Sequence, residues 1–362
     1  LEADVYDVAI ESPLEVAPLL SDRLGIPVLL KREDLQPVFS FKLRGAYNCI
    51  RKLDATARKR GVVTASAGNH AQGVALAASR LGIKAHIVMG KNTPEIKINA
   101  VARLGGRVIL HGDNYDEATV HARDLAKGKG YTYVHPFDDP EVIAGQGTVG
   151  VEILRQHMGE LHAVFVPVGG GGLISGVGTW VKYLRPEVKI IGVEAEGAAA
   201  MWAALRAGRP VKLKAEDMDL FADGTAVQQV GRETYRVASQ CIDEVIKVSV
   251  DELCAAIKDI FEDTRSISEP SGALAIAGMK KYLESHSTKL PCVAIVSGAN
   301  VNFDRLRHIS ERTEIGEGRE VLLAVTIPEK PGSFKRFSQL IGRRSITEFN
   351  YRLSGRSQAH IF

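Results

Sequence analysis

The run Val166-Pro167-Val168-Gly169-Gly170-Gly171-Gly172-Leu173 follows an apolar strand pattern and precedes an apolar helical one. Four consecutive glycines are entropically costly, and a plain tight turn does not need them. What they provide is a cup of exposed backbone amides able to cradle a phosphate. A dinucleotide fingerprint is the obvious rival and fails in detail. Gly169 and Gly171 would need a glycine where Ile174 stands, and Gly170 and Gly172 would need one at Ser175. Glu194 does end the next strand at a distance suited to a ribose contact, but the fingerprint it would serve is missing.

Working outward, short apolar runs alternate with helical patterns. Strands are expected at Val28–Leu30, Val62–Ala65, Ala85–Met89, Arg107–Leu110, Tyr131–Val134, Val164–Val168, Lys189–Val193, Glu244–Val248 and Cys292–Val296. Helices are expected between most of them, among them Gln72–Leu81 and Asp116–Ala126. Ser249-x-x-Glu252 is a capping box, Gly25 a helix C-cap, and Pro18 a residue that delays or kinks the helix before it. Lys31-Arg32-Glu33-Asp34 reads as a charged loop. The class is therefore α/β with mainly parallel sheets, and the strands are too many for one compact sheet, so two open-sheet domains are expected. Composition breaks at Ile315-Gly316-Glu317-Gly318. Beyond it a strand over Glu320–Ile327, a turn, a helix capped by Ser333 and a strand over Ile346–Tyr351 look like the start of a third domain, cut short at Phe362.

Ser40-Phe41-Lys42-Leu43-Arg44-Gly45 carries the most pointed chemistry. Leu43, Ala46, Tyr47, Ile50 and Leu53 recur at helical spacing, so Ser40 reads as the N-cap of a helix starting at Phe41. Lys42 then lies in the first turn, where apolar neighbours and the helix dipole both disfavour the ammonium form. Such a lysine is either a solvated turn residue or a nucleophile suited to a Schiff base with a carbonyl cofactor.

Two more strand ends stand out. Thr64-Ala65-Ser66-Ala67-Gly68-Asn69-His70 is either a turn that caps a helix or a set of amides, with the Ser66 hydroxyl, that holds a carboxylate, while Asn69 donates to a ring oxygen. Ser297-Gly298-Ala299-Asn300 is a common turn or a neutral hydroxyl offered to a ring nitrogen. His70 is as much a helix-start residue as a functional one. Phe221-Ala222-Asp223-Gly224 reads as a turn before it reads as a cation loop, and with no ligand cluster elsewhere no catalytic metal is expected.

With 362 residues, 45% hydrophobic and 25% charged, the composition is that of a globular chain with ample length for a core, and no run approaches a membrane span. Cys49, Cys241, Cys254 and Cys292 are scattered, which argues against a disulfide framework or structural zinc and suits a reducing compartment, the cytoplasm or a plant plastid. Starting at Leu1 rather than Met, the chain reads as trimmed. From Glu317 onward eight Lys/Arg face four Asp/Glu, leaving residues 1–316 near neutral. That basic tail lacks the interleaved aromatics of a strand-stacking surface, so neither nucleic acid nor membrane is expected as a partner.

Together, Ser40–Tyr47, Ser66–Gly73, Gly169–Leu173, Glu269-Pro270-Ser271-Gly272-Ala273 and Ser297–Asn300 resemble the tryptophan-synthase β family of pyridoxal-phosphate enzymes, fold type II. Within it the sequence is most similar to the biosynthetic threonine dehydratases, because the region beyond Glu320 resembles their ACT-like, isoleucine-sensing domain. Serine dehydratases and serine racemases share the catalytic motifs and are the alternative. The resemblance implies a catalytic region over 1–316, with a large domain of about 1–44 and 145–316 and a small one of about 45–144, then an incomplete α+β regulatory domain over 317–362. It implies pyridoxal 5'-phosphate as cofactor, with Lys42 as its covalent anchor and catalytic base. Phe41 would lie beside it, Asn69 at the ring oxygen, Gly169, Gly170, Gly171, Gly172 and Leu173 at the phosphate, and Ser297 at the pyridine nitrogen. Ser66, Ala67, Gly68, Asn69 and His70 would hold the substrate carboxylate. The implied reaction is deamination of L-threonine, and to some extent L-serine, in isoleucine biosynthesis. The implied assembly is a homotetramer, and isoleucine is the expected effector of the longer chain.

Overall fold

The computed structural model describes residues 2–361 apart from 318, 320, 322, 347, 348 and 355–357. Its strands, in chain order, are β1 (Leu14–Val16), β2 (Val28–Arg32), β3 (Val62–Ala65), β4 (Ala85–Met89), β5 (Arg107–Leu110), β6 (Thr132–Tyr133), β7 (Ala163–Pro167), β8 (Lys189–Ala195), β9 (Glu244–Val248), β10 (Cys292–Val296), β11 (Val325–Pro328), β12 (Tyr351–Ser354) and β13 (Gln358–Ile361). They form a six-stranded sheet ordered β1-β2-β10-β7-β8-β9, a four-stranded sheet ordered β5-β4-β3-β6 and a three-stranded sheet ordered β11-β13-β12. The six-stranded sheet is parallel except for its antiparallel edge strand β1, and the four-stranded sheet is wholly parallel. The third sheet is antiparallel, with the helix Ser333–Ile341 between β11 and β12. The fold is thus two open α/β sheets followed by a smaller α+β unit.

Both faces of the six-stranded sheet are covered, as continuous apolar strands require. Ala163 and Phe165 of β7 pack on one side with Leu274, Ile276 and Met279 of the helix Pro270–Ser285. Val164 and Val166 pack on the other with Ile174, Val177 and Val181 of the helix Gly172–Leu184. Each such fully buried side chain stabilises the fold by about 1.5–3 kcal/mol. The core of the four-stranded sheet recruits Val5, Val8 and Ala9 from the N-terminus, which the expected division assigns to the large domain.

The helix Lys42–Arg51 is gripped at backbone distance. A Cβ on Gly145 would lie 2.6 Å from the Arg44 carbonyl oxygen, and one on Gly73 would lie 2.9 Å from the Leu43 nitrogen. Any larger residue at either position would push the helix away.

Several local expectations are corrected. The helix starts at Lys42, its N-cap is Phe41, and the Ser40 hydroxyl makes no capping bond and is buried without a partner among the described residues. Pro18 neither delays nor kinks its helix but opens it at the first position, and Ser333 is the first residue of its helix, after Gly332, rather than a cap. A strand covers Tyr351–Ser354 instead of Ile346–Tyr351, of which 347 and 348 lie outside the described residues. Of the Glu320–Ile327 strand only the end from Val325 is a strand, and residues 320 and 322 lie outside the description. The Ser249–Glu252 capping box and the left-handed C-cap at Gly25 are as expected.

The largest correction concerns Lys31-Arg32-Glu33-Asp34. Lys31 and Arg32 end β2, Glu33 and Asp34 open a 3-10 turn, and all four are buried. Arg44 bonds Glu33 at 2.8 Å and Glu152 at 2.6 Å, and Lys31 bonds Glu152 at 2.6 Å, every one of these side chains being inaccessible to solvent. Burial alone works against the charge on Arg44, but Glu33 and Glu152 reverse the balance and raise its pKa. Burial likewise opposes the Glu152 carboxylate, yet Arg44 and Lys31 hold its pKa below the ordinary value.

Candidate active site

One cleft lies where the carboxyl ends of β7 and β10 in the large sheet face the loop after β3 in the small one, the place where open parallel sheets receive ligands. It is lined by Phe41, Lys42, Asn69, all four of Gly169–Gly172, Leu173 and Ser297, so residues from four distant stretches converge. Pro136, Phe137, Gln146, Thr225, Glu269 and Ser271 complete its walls.

Lys42 opens its helix, with Nζ donating to the Pro136 carbonyl oxygen at 3.0 Å and lying 5.4 Å from the centre of the Phe41 ring. Burial lowers its pKa to about 8, and Glu269 is the charge that opposes the shift. At near-neutral pH roughly a tenth of this amine is unprotonated, far more than an ordinary lysine achieves.

The glycine loop presents donors. The amides of Gly169, Gly170 and Gly171 bond no acceptor among the described residues. Those of Gly172 and Leu173 open the helix Gly172–Leu184, whose first-turn N–H groups have no partner within the helix. Gly171 has φ +96°. A Cβ at Gly170 would sit 2.2 Å from the Phe137 ring, so the loop is fixed by its neighbours as well as by its own freedom.

Ser297 is buried, and its hydroxyl donates a long bond of 3.4 Å to the Ser271 carbonyl oxygen. Its own carbonyl accepts the Phe41 N–H, tying the β10 end to the lysine's approach. Asn69 opens the helix Asn69–Arg80; its Nδ2 donates to Glu269 Oε1 at 2.6 Å. Of Ser66–His70, Asn69 alone is among the residues that line the cleft. The Ser66 hydroxyl accepts from the Gly68 N–H, and a Cβ at Gly68 would meet nothing within 4 Å. The His70 ring is turned inward, with Nε2 3.0 Å from the Val134 carbonyl oxygen. Burial, then the Lys42 charge, pushes its pKa down to about 3, so it is neutral.

Glu269 is the group whose place in the cleft the sequence reading missed, although its motif was noted there. It is buried, and its pKa is raised to about 7 by burial, against the Asn69 bond. Its signal was a carboxylate at a helix N-cap beside Pro270, among small residues. Asp223 is paired with Lys97 and Arg305, and no group of three or more potential metal ligands occurs among the described residues.

Residues 5–298 match the model of the pyridoxal-phosphate dependent enzymes. The chain belongs to that family. Residues 311–362 also match the C-terminal regulatory domain of threonine dehydratase. The biosynthetic L-threonine dehydratase of Burkholderia multivorans is 57% identical over all of this chain and 72% of its own length. The chloroplastic biosynthetic threonine dehydratase of Arabidopsis thaliana is 55% identical over 99% of this chain and 60% of its own length. Among solved structures, the processed form of threonine deaminase isoform 2 from Solanum lycopersicum superposes with a TM-score of 0.84 at 54% identity, covering 86% of this chain and 90% of that one. A serine racemase from Dictyostelium discoideum has a TM-score of 0.76 at 32% identity, covering 83% and 95%.

Proposed function

We propose that this pyridoxal-phosphate dependent enzyme deaminates L-threonine to 2-oxobutanoate and ammonia, a lyase reaction at the head of isoleucine biosynthesis. The observation that carries the reading is the convergence of a lysine with a lowered pKa, a row of unpartnered glycine amides and a neutral hydroxyl in one cleft. That donor set fits a phosphate-bearing aromatic aldehyde. The Gly169–Leu173 amides suit the phosphate, Lys42 the aldehyde carbon, Asn69 the ring oxygen and Ser297 the pyridine nitrogen. When bound, the cofactor supplies an electron sink that spreads the negative charge left at the substrate's Cα.

The chain's residues do the rest. With the cofactor bound, Lys42 would be placed to take the substrate's Cα proton as general base, for which its lowered pKa suits it. The first-turn amides of Asn69 and His70, with the Ser66 hydroxyl, hold the substrate carboxylate at a helix N-terminus. A neutral Ser297 hydroxyl would not hold a proton on the pyridine nitrogen as a carboxylate would, which suits loss of the β-hydroxyl over slower side reactions. The β-hydroxyl leaves as water, and water is regained when the released enamine hydrolyses. Substrate names at 54–57% identity favour threonine over the serine racemases at 31–32%.

We place the isoleucine response with the C-terminal unit, the large and small domains at 1–44 with 145–316 and at 45–144, and the assembly as a homotetramer. A reducing compartment agrees with four free, buried cysteines, and no helix among the described residues is long and apolar enough to cross a membrane. The test is steady-state turnover of L-threonine against L-serine with product analysis. Threonine should give the larger kcat/KM, with 2-oxobutanoate as product; dominant pyruvate or D-serine would overturn the assignment.

A further inference from the structure

Asn69 sits in a hydrogen-bond relay whose direction is set by a group that cannot turn round. The Val38 carbonyl only accepts, and the Asn300 side chain approaches it with Nδ2 at 2.8 Å. The same Nδ2 donates its second hydrogen to Asn69 Oδ1 at 2.6 Å. With its oxygen engaged there, Asn69 must turn its NH2 toward Glu269, where Nδ2 lies 2.6 Å from Oε1. One N–H is used by Glu269, leaving the second for the cleft that Asn69, Glu269 and Lys42 line together. Glu269 is itself held: its backbone N–H donates to the Gly298 carbonyl oxygen at 3.1 Å, and only 5% of the residue is exposed. The relay crosses from the small sheet to the turn after β10, so it also aligns the two walls of the cleft.

We propose that Asn300 and Glu269 are positioning residues that force Asn69 to present a donor, never its carbonyl, to the ring oxygen of the bound cofactor. This rests on the placement of pyridoxal 5'-phosphate given above. The functional consequence is a ring oxygen that would be kept as a hydrogen-bond acceptor, in the charged form that an unprotonated pyridine nitrogen by itself disfavours. A donor fixed on Asn69 would offset the weaker electron demand of a ring whose nitrogen meets only the neutral Ser297 hydroxyl in the same cleft. An asparagine free to flip would offer either pole, and half of its orientations would set two oxygens against each other.

The experiment compares pyridoxal 5'-phosphate with its 3-deoxy analogue, which lacks the ring oxygen, by titration onto the full chain stripped of cofactor. Asn300→Asp replaces the donor with a group that only accepts, so Asn69 must turn its NH2 toward it and its carbonyl toward the cleft. Affinity for pyridoxal 5'-phosphate should fall by about tenfold or more, the equivalent of one charge-assisted hydrogen bond, while affinity for the 3-deoxy analogue should stay unchanged. Glu269→Gln keeps an acceptor for Asn69 and should retain most of the wild-type preference. If Asn300→Asp does not fold, Asn300→Ala frees the amide and should lose about threefold, again only toward the natural cofactor. Equal losses toward both probes would overturn the relay and leave Asn300 a structural residue. Equal wild-type affinity for the two probes would put the ring oxygen elsewhere and overturn the relay. Failure of the wild-type chain to bind either probe would instead overturn the proposed function.

Discussion

Lys31 is fully buried and Lys42 half-buried on the wall of a cleft, yet desolvation lowers the pKa of each. Their surroundings differ. Lys31 donates to the Ser12 carbonyl, to Glu152 and to Gln156, which uses all three of its hydrogens. Lys42 has one hydrogen-bond partner among the described residues, the Pro136 carbonyl, and faces a cleft. A buried ammonium that is fully paired is a structural tie. One that is underpaired is held close to losing its proton, and that is what makes it a nucleophile. The same contrast separates the surrounding carboxylates. Glu152 sits between two cations and its pKa is lowered, whereas Glu269 has an amide for its closest partner and its pKa is raised to about 7.

Exchanging the roles tests the contrast. Lys42→Ala should abolish turnover and the absorbance of covalently held cofactor while thermal stability stays near wild type, because little pairing is lost. Measurable turnover in that variant would remove the central claim. Glu152→Ala leaves Arg44 and Lys31 as uncompensated buried charges and should cost about 3–5 kcal/mol in denaturant unfolding. A loss below about 1 kcal/mol would mean that the cluster is not a tie. The smallest effect is on pH dependence. Because the Lys42 pKa is lowered from 10.5 to about 8, the neutral amine grows in as pH rises through about 8. In the cofactor-free chain, acylation of Lys42 by an amine reagent should therefore rise with a midpoint near 8, and Lys31 should stay unmodified. A midpoint near 10.5 would show a solvated Lys42.

The strand ends at the cleft were legible in the sequence because β7 and β10 are continuous apolar runs followed closely by glycine or small polar residues. The buried charges were not. Lys31-Arg32-Glu33-Asp34 looks solvated in any local window, and its partner Glu152 lies on a helix more than a hundred residues away. The Ser40 cap failed for a similar reason: Ser40 is drawn into a bridge with Gly298, a pairing no local pattern encodes. Glu269 was visible as part of a motif, but its bond to Asn69 joins the two sheets and needs the fold to be seen. Ser66–His70 were read as one unit, and the fold separates the parts of that unit: the His70 ring turns inward, while its backbone amide stays in the first turn of the helix that opens at Asn69.

The grip of Gly145 on the helix Lys42–Arg51 has a consequence in time. During synthesis the lysine emerges about a hundred residues before Gly145 and before Pro136, the one carbonyl it bonds. At 5–20 residues per second that interval is roughly 5–20 s. Through it Lys42 is a solvated lysine with an ordinary pKa near 10.4, protonated and unreactive toward the aldehydes of the cell. Its chemistry is switched on by the arrival of the helix that buries it, so a nascent or half-made chain carries the nucleophile in a safe form.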